Sequence, residues 1–266
     1  MVVDVSVRVP VERPAAGRAG LVAAAAAALL VLLSSAVLLH AGPLAAVDLA
    51  ISEAARHLAL ARPAWRSVMA AVTVTGSTAV LGPVGSAGFL ALLATGRRRQ
   101  AAFVAVALPL TVALRLLMVT AVARPRPVDR LAASSGWSFP SGHSTASAAT
   151  ALVAVLVLGP MLRRRWCRVL LACLAGGWAV AVGVSRVALV VHWPSDVLGA
   201  WLLVLTMVPA VAVLMNVAGP RPDDPAGEGD TRPAPPGPPP VADCDTPPVR
   251  PRPEPEPPAA TPGHAA

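Results

Sequence analysis

Long apolar runs dominate the first 218 residues, broken by short segments rich in arginine or in Pro, Ser, Gly and His. A helix crosses a bilayer core of about 30 Å with about 20 apolar residues. Six runs reach that length: about Gly20–Leu39, Thr78–Thr95, Ala101–Ala123, Ser144–Leu162, Val169–Val184 and Val197–Val217. Gly82-Pro83 predicts a kink in the second, and the fifth is short if it ends before Ser185-Arg186. Residues 47–66 intersperse Asp48, Glu53, Arg56 and Arg62 among apolar positions, the pattern of an amphipathic helix lying at the membrane surface. The first run is longer than the ~7–15 apolar residues of a secretion signal, so it too reads as a span. The expected fold is an all-α polytopic membrane bundle with about six transmembrane helices.

Composition sharpens this picture. Of the 266 residues 55% are hydrophobic and only 14% charged, against about 25% charged in soluble domains. Three cysteines are too few to staple a small secreted fold. Cys167 and Cys173 read as packing residues within the fifth run. All 22 basic residues are arginine, and lysine and tyrosine are absent. Residues 219–266 hold four arginines, eight acids and 17 of the 29 prolines, which describes a disordered Pro-rich acidic tail. No partner is assigned to that tail. Residues 1–218 hold 18 arginines against six acids. A pI of about 11.3 raises nucleic acid as a partner, but the arginines sit between apolar runs rather than along one stripe, so nucleic acid is excluded.

Position explains most of these arginines. Arg8, Arg13 and Arg18 precede the first run, Arg97-Arg98-Arg99 join the second to the third, and Arg163-Arg164-Arg165 with Arg168 join the fourth to the fifth. If the spans alternate, all three clusters share one side, the cytoplasmic one by the positive-inside rule. Both termini belong there in a cell-membrane protein. The organisation expected is a cytoplasmic segment 1–19, a six-span domain 20–218 and a tail 219–266. Residues 40–77, 124–143 and 185–196 then face outward.

Those outer segments carry the chemistry. Arg124-Pro125-Arg126-Pro127 follows the third run, Phe139-Pro140-Ser141-Gly142-His143 leads into the fourth, and Ser185-Arg186 with His192-Trp193-Pro194-Ser195-Asp196 joins the last two. Guanidinium groups are permanently charged planar forks suited to phosphate. A helix starting at Ser-Gly-His adds unpaired backbone N–H groups, and Gly142 lets an anion come close. Two histidines divide the work of a nucleophile and a general acid. Asp196, four residues after His192, is placed to hold the attacking imidazole.

These segments resemble the signature motifs of the type 2 phosphatidic acid phosphatase superfamily, which includes lipid phosphate phosphatases and vanadium haloperoxidases. Its Pro-Ser-Gly-His motif is matched at Pro140–His143, and its Ser-Arg-x5-His-x3-Asp motif at Ser185, Arg186, His192 and Asp196. The resemblance implies cofactor-free hydrolysis of a terminal phosphate or pyrophosphate on a membrane lipid, with polyprenyl pyrophosphate (undecaprenyl pyrophosphate among them) and phosphatidic acid as candidate substrates. It further implies that His192 attacks phosphorus, Asp196 orients it, and His143 protonates the leaving group. Arg126, Ser141, Gly142 and Arg186 would hold phosphoryl oxygens, with Arg124 and Arg115 assisting. The family's first motif, Lys-x6-Arg-Pro, is not matched: seven positions before Arg126 stands Val119, and before Arg124 stands Leu117. Arg115 is the nearest basic residue, one helical turn before Val119. Of the acids outside the tail, Asp129 and Asp196 are the ones expected near the site. A non-catalytic binder or transporter of phosphorylated lipids that keeps the anion cage is the competing function.

Overall fold

A computed structural model describes residues 13–215. The expected tail 219–266 and the first twelve residues lie outside the described residues. The described chain is helical: α1 (Arg13–Leu38), α2 (Gly42–Ala61), α3 (Pro63–Thr75), α4 (Thr78–Ala94), α5 (Arg98–Val122), α6 (Gly142–Leu158), α7 (Arg165–Ala188) and α8 (Pro194–Leu214), with a 3₁₀ turn at Gly159–Met161. Among the described residues six segments are long and apolar enough to cross a membrane, the second being the run Pro63–Ala94 that joins α3 to α4. The chain is a multi-pass membrane protein with an all-α fold.

Two helices form the centre. Half of the apolar window of α8 and 44% of that of α6 are buried, against 6% of the Pro63–Ala94 run. Around them α1 packs on α8, α7 on α6, and α5 on both, while α3 leans on α7. One apolar core joins Leu92, Phe103 and Ala107 to Val153, Val157, Val204 and Val208. A second sets Leu30 and Val37 of α1 and Leu203 of α8 around Phe139. The outward faces stay apolar, as at Leu32, Leu90, Leu117 and Leu174, which suits a lipid-facing bundle.

The turns divide the bundle into two ends. Arg97–Arg99 and Arg163–Arg165 connect helices at one end, where an Arg99 guanidinium also reaches the carbonyl of Met215 beyond α8. At the opposite end the long segments cross-link. The Ser138 N–H donates to the Arg124 carbonyl at 2.9 Å, Leu131 to Leu189 at 3.0 Å, and Ser141 to Asp196 at 3.1 Å.

Three expectations need revising. The fifth span is not short: α7 runs on through Ser185 and Arg186 to Ala188. The expected helix over residues 47–66 is two helices, α2 and α3, that meet at Arg62-Pro63, and α2 buries Asp48 and Ser52 against the bundle while Glu53 and Arg62 stay exposed. Asp48 therefore serves the protein interior, where the sequence pattern placed it on the water-facing side. Cys173 is exposed rather than packed, while Cys167 is half-buried.

Candidate active site

The outer segments and α2 meet at the ends of α5 to α8. α5 stops at Ala123, whose left-handed backbone (φ 45°) turns the chain into Arg124. α6 begins at Gly142, and its first N–H groups have no partner within the helix. α7 ends with Arg186 in its last turn, where a cation suits the helix dipole. α8 begins at Pro194, which needs no N–H bond there, and Asp196 sits in its first turn.

His192 is 1% exposed and Asp196 is fully buried. The His192 Nδ1 lies 3.3 Å from Asp196 Oδ2, and its Nε2 lies 2.9 Å from an Arg126 Nη1. A carboxylate only accepts and a guanidinium only donates, so Nδ1 carries the proton and Nε2 presents its lone pair. Burial, the largest influence, pushes the His192 pKa down to about 4, against the pull of Asp196. The ring is therefore neutral at pH 7, as a nucleophile must be. The Trp193 N–H donates to the same Asp196 oxygen at 2.9 Å and locks the carboxylate in place.

The arginines differ in kind. Arg126 donates from Nη1 to the Val191 carbonyl (2.7 Å), from Nε to that of Gly136 (2.9 Å) and from Nη2 to that of Trp137 (3.0 Å). Its burial lowers its pKa, without threatening its charge. Arg186 is 6% exposed, donates from Nη1 to Thr73 Oγ1 at 2.6 Å, and its Nε is buried with no partner. An orphaned buried donor of this kind is costly unless a ligand meets it. Arg115 lies inside α5 yet reaches the site: its Nε donates to the Pro140 carbonyl at 3.1 Å. A Cβ added at Gly142 would stand 3.4 Å from the Arg115 guanidinium carbon, an ordinary contact distance, so the guanidinium lies directly against the start of α6. The ionisable groups near enough to act on His143, one residue into α6, are Arg186, His192, Arg126 and Arg115.

Arg124 is engaged elsewhere. Its Nη1 bonds Asp196 Oδ1 at 2.7 Å and Ser195 Oγ at 2.6 Å, its Nη2 bonds Asp48 Oδ2 at 2.7 Å, and its guanidinium stacks on the Trp193 ring. Ser141 is also partly spent, with its N–H on the Asp196 carbonyl and its hydroxyl accepting from Ser144. Asp129, placed near the site by sequence, is 68% exposed and pairs with Arg56 at 3.8 Å. The second carboxylate of the site is Asp48, which sequence reasoning put on a water-facing helix. The available signal was an acid in the midst of Ala45-Ala46-Val47 and Leu49-Ala50.

The sequence model of the PAP2 superfamily matches residues 100–220, which include every outer motif. Phosphatidylglycerophosphatase B of Bacillus subtilis (strain 168) is 32% identical over 190 residues, 65% of this chain and 85% of that protein. The chain belongs to the PAP2 superfamily. A crystal structure of a transmembrane PAP2-type phosphatidylglycerolphosphate phosphatase from Bacillus subtilis superimposes with a TM-score of 0.66 at 26% identity, covering 73% of this chain and 96% of that one. Phosphatidylglycerophosphatase B of Escherichia coli (strain K12) is 39% identical over 88 residues, so the chain spans about a third of that relative's length (32%).

Proposed function

We propose that the protein is an integral membrane lipid phosphatase acting on a lipid with a terminal phosphate, and that its site lies on the outer face with both termini in the cytoplasm. The observation that carries the reading is His192 itself: neutral, buried, proton-locked by Asp196, and presenting Nε2 among Arg126, Arg186 and His143. The orphaned Nε of Arg186 and the open first turn of α6 support a phosphoryl group as the ligand. The positive-inside placement of the Arg97–Arg99 and Arg163–Arg165 turns supports the orientation.

Nε2 of His192 attacks phosphorus as the bond to the lipid oxygen breaks, and His143 delivers a proton to that oxygen. Phosphohistidine and a lipid alcohol result. His143, now a base, takes a proton from water, whose oxygen attacks phosphorus and releases inorganic phosphate with His192 restored. Before the first step the Arg126 Nη1 must leave the Nε2 lone pair, and the incoming phosphoryl oxygens supply it with a better acceptor. Arg126, Arg186, Arg115 and the N–H groups of Gly142 and His143 hold the oxygens. Arg115 stands in for the missing lysine of the first motif. Phosphoryl transfer is mostly positioning and charge stabilisation, which such a cage provides.

Phosphatidylglycerol phosphate is the first substrate to try, because the Bacillus and Escherichia relatives carry that name. The test is phosphate release in detergent across phosphatidylglycerol phosphate, phosphatidic acid and a polyprenyl pyrophosphate. His192→Ala and His143→Ala should each abolish release while the protein still inserts, and vanadate should inhibit the wild type. Full activity in His192→Ala would overturn the mechanism. Tight binding with no phosphate release would favour a lipid carrier instead.

A further inference from the structure

Asp48 lies 76 residues from Arg124 and 147 from Ser195 in sequence, on a helix that contributes nothing else to the motifs. It is 2% exposed and fully bonded. Its Oδ1 accepts the Ser195 N–H at 2.9 Å, and its Oδ2 accepts both the Ser195 hydroxyl and the Arg124 Nη2. Arg124 bridges onward to Asp196, which holds His192. The chain of contacts therefore runs from α2 through Arg124 and the start of α8 to the imidazole.

The charge arithmetic of this chain is informative. A buried guanidinium with one carboxylate partner would draw that carboxylate fully to itself, since ion attraction is strong away from water. Asp196 would then have little left for the imidazole proton. A second buried carboxylate on the other edge of the guanidinium changes the balance. With Asp48 neutralising Arg124, Asp196 keeps its charge for His192, while Arg124 still fixes its orientation.

We propose that Asp48 is a positioning residue for the nucleophile: it neutralises Arg124 and docks α2 on the first turn of α8, leaving the Asp196 charge to support His192. The inference rests on the phosphatase reading above. It also withdraws Arg124 from the phosphate cage and makes it the link between two carboxylates.

The experiment uses the full chain in detergent micelles with a short-chain phosphatidic acid or phosphatidylglycerol phosphate as the probe. Asp48→Asn keeps the shape and removes the charge. Its kcat should fall at least about tenfold, the size of loss seen when a partner behind a working ligand or base is removed. KM should stay within about twofold, since no phosphate contact is touched. The acid limb of its kcat/KM profile should move to lower pH, because Asp196 now supports the imidazolium less. The decisive variant is Asp48→Asn with Arg124→Gln. Removing the guanidinium frees Asp196 again, so the pair should recover several-fold over Asp48→Asn alone. Were Asp48 only a structural staple, the double variant would be as poor or poorer, and the pH limb would not move. Either result overturns the proposal, as does an unchanged kcat in Asp48→Asn. ¹⁵N-histidine spectra of the same variants follow the His192 titration without turnover. A wild type that releases no phosphate would thus sink the phosphatase reading, whereas an unmoved His192 titration in Asp48→Asn would sink this one.

Discussion

Gly199→Ala tests how the bundle core sets the position of His143. Phe139 is fully buried, with Leu30, Val37 and Leu203 around it, and its ring edge rests directly on Gly199 of α8. A Cβ at position 199 would lie 2.5 Å from Phe139 Cε2 and 2.6 Å from Cζ, where ordinary contact begins at 3.4 Å. The ring must retreat by about 1 Å, and overpacking of this kind costs about 1–3 kcal/mol. Phe139 immediately precedes the turn Pro140-Ser141-Gly142-His143, so the displacement is passed to the start of α6. Misplacing a catalytic group by about 1 Å costs on the order of 100-fold in rate. Gly199→Ala should therefore lower the unfolding midpoint in detergent and reduce kcat/KM by one to two orders of magnitude, about 10–100-fold. Adding Phe139→Leu deletes the two clashing atoms and should restore most of both. An alanine variant with unchanged midpoint and unchanged kcat/KM would refute the claim that Phe139 on Gly199 fixes the histidine turn.

Three further outcomes are expected. His192 titrates near 4 when folded and at 6.5 as a free side chain, so below pH 6.5 the unfolded chain binds a proton that the folded one refuses. The stability that His192 contributes should accordingly decline as pH falls from 6.5 to about 4, by at most about 3 kcal/mol, and level off below; denaturation midpoints against pH should lose that part of their slope in His192→Gln. Arg115→Ala should cost on the order of 100-fold in kcat/KM, as removal of a charge-stabilising donor does. Adding Val119→Lys places a cation where the family motif has one, and phosphate-release kinetics should recover at least about tenfold over Arg115→Ala. Thr73→Val takes away the hydroxyl bonded to Arg186 and keeps its shape. KM for the lipid phosphate should rise about five- to tenfold, the worth of one ordinary hydrogen bond of about 1 kcal/mol, with a smaller change in kcat.

How much of this was legible in the sequence follows from what each feature depends on. The spans over residues 101–123, 144–162 and 197–217 lie within a few residues of α5, α6 and α8. A long apolar run in lipid has to satisfy its own backbone, and the helix is the local way to do so. The pairing of His192 with Asp196 was legible because both belong to one turn. Long-range partners were not. Nothing local links Asp48 to Ser195, and an acid on a mixed helix reads as water-facing until the helix that covers it is known. The end of α7 was also misplaced. Ser185 and Arg186 look like a polar loop, yet Ser185 Oγ bonds the Val182 carbonyl and Arg186 turns inward to Thr73, so both continue the helix. Arg115 was legible as an anomaly, since an arginine within a span calls for a polar partner. That its partner is the Pro140 carbonyl required the fold.

The distribution of charge explains why the site should choose a phosphate at the end of a lipid over the phosphodiesters that fill a bilayer. The ion pairs among the described residues engage Arg56 and Arg124. Both buried carboxylates of the site, Asp48 and Asp196, are committed to Arg124 and His192. Arg115, Arg126 and Arg186 instead spend donors on neutral acceptors: Pro140, Val191 and Thr73. Three guanidiniums thus converge on the two histidines with their positive charge uncompensated by a bonded carboxylate. Like charges held this close repel in a half-buried pocket, and a ligand that relieves the repulsion is favoured in proportion to its own charge. A terminal phosphate brings up to two negative charges and three free oxygens, whereas a phosphodiester brings one charge and two. In the proposed mechanism the same arrangement would serve the transition state, where charge spreads over the equatorial oxygens that these arginines would hold. On the proposed function, selectivity for the lipid's terminal phosphate and its hydrolysis would have one origin, an arginine cluster free of bonded carboxylates, with the fourth arginine, Arg124, given to Asp48 and Asp196.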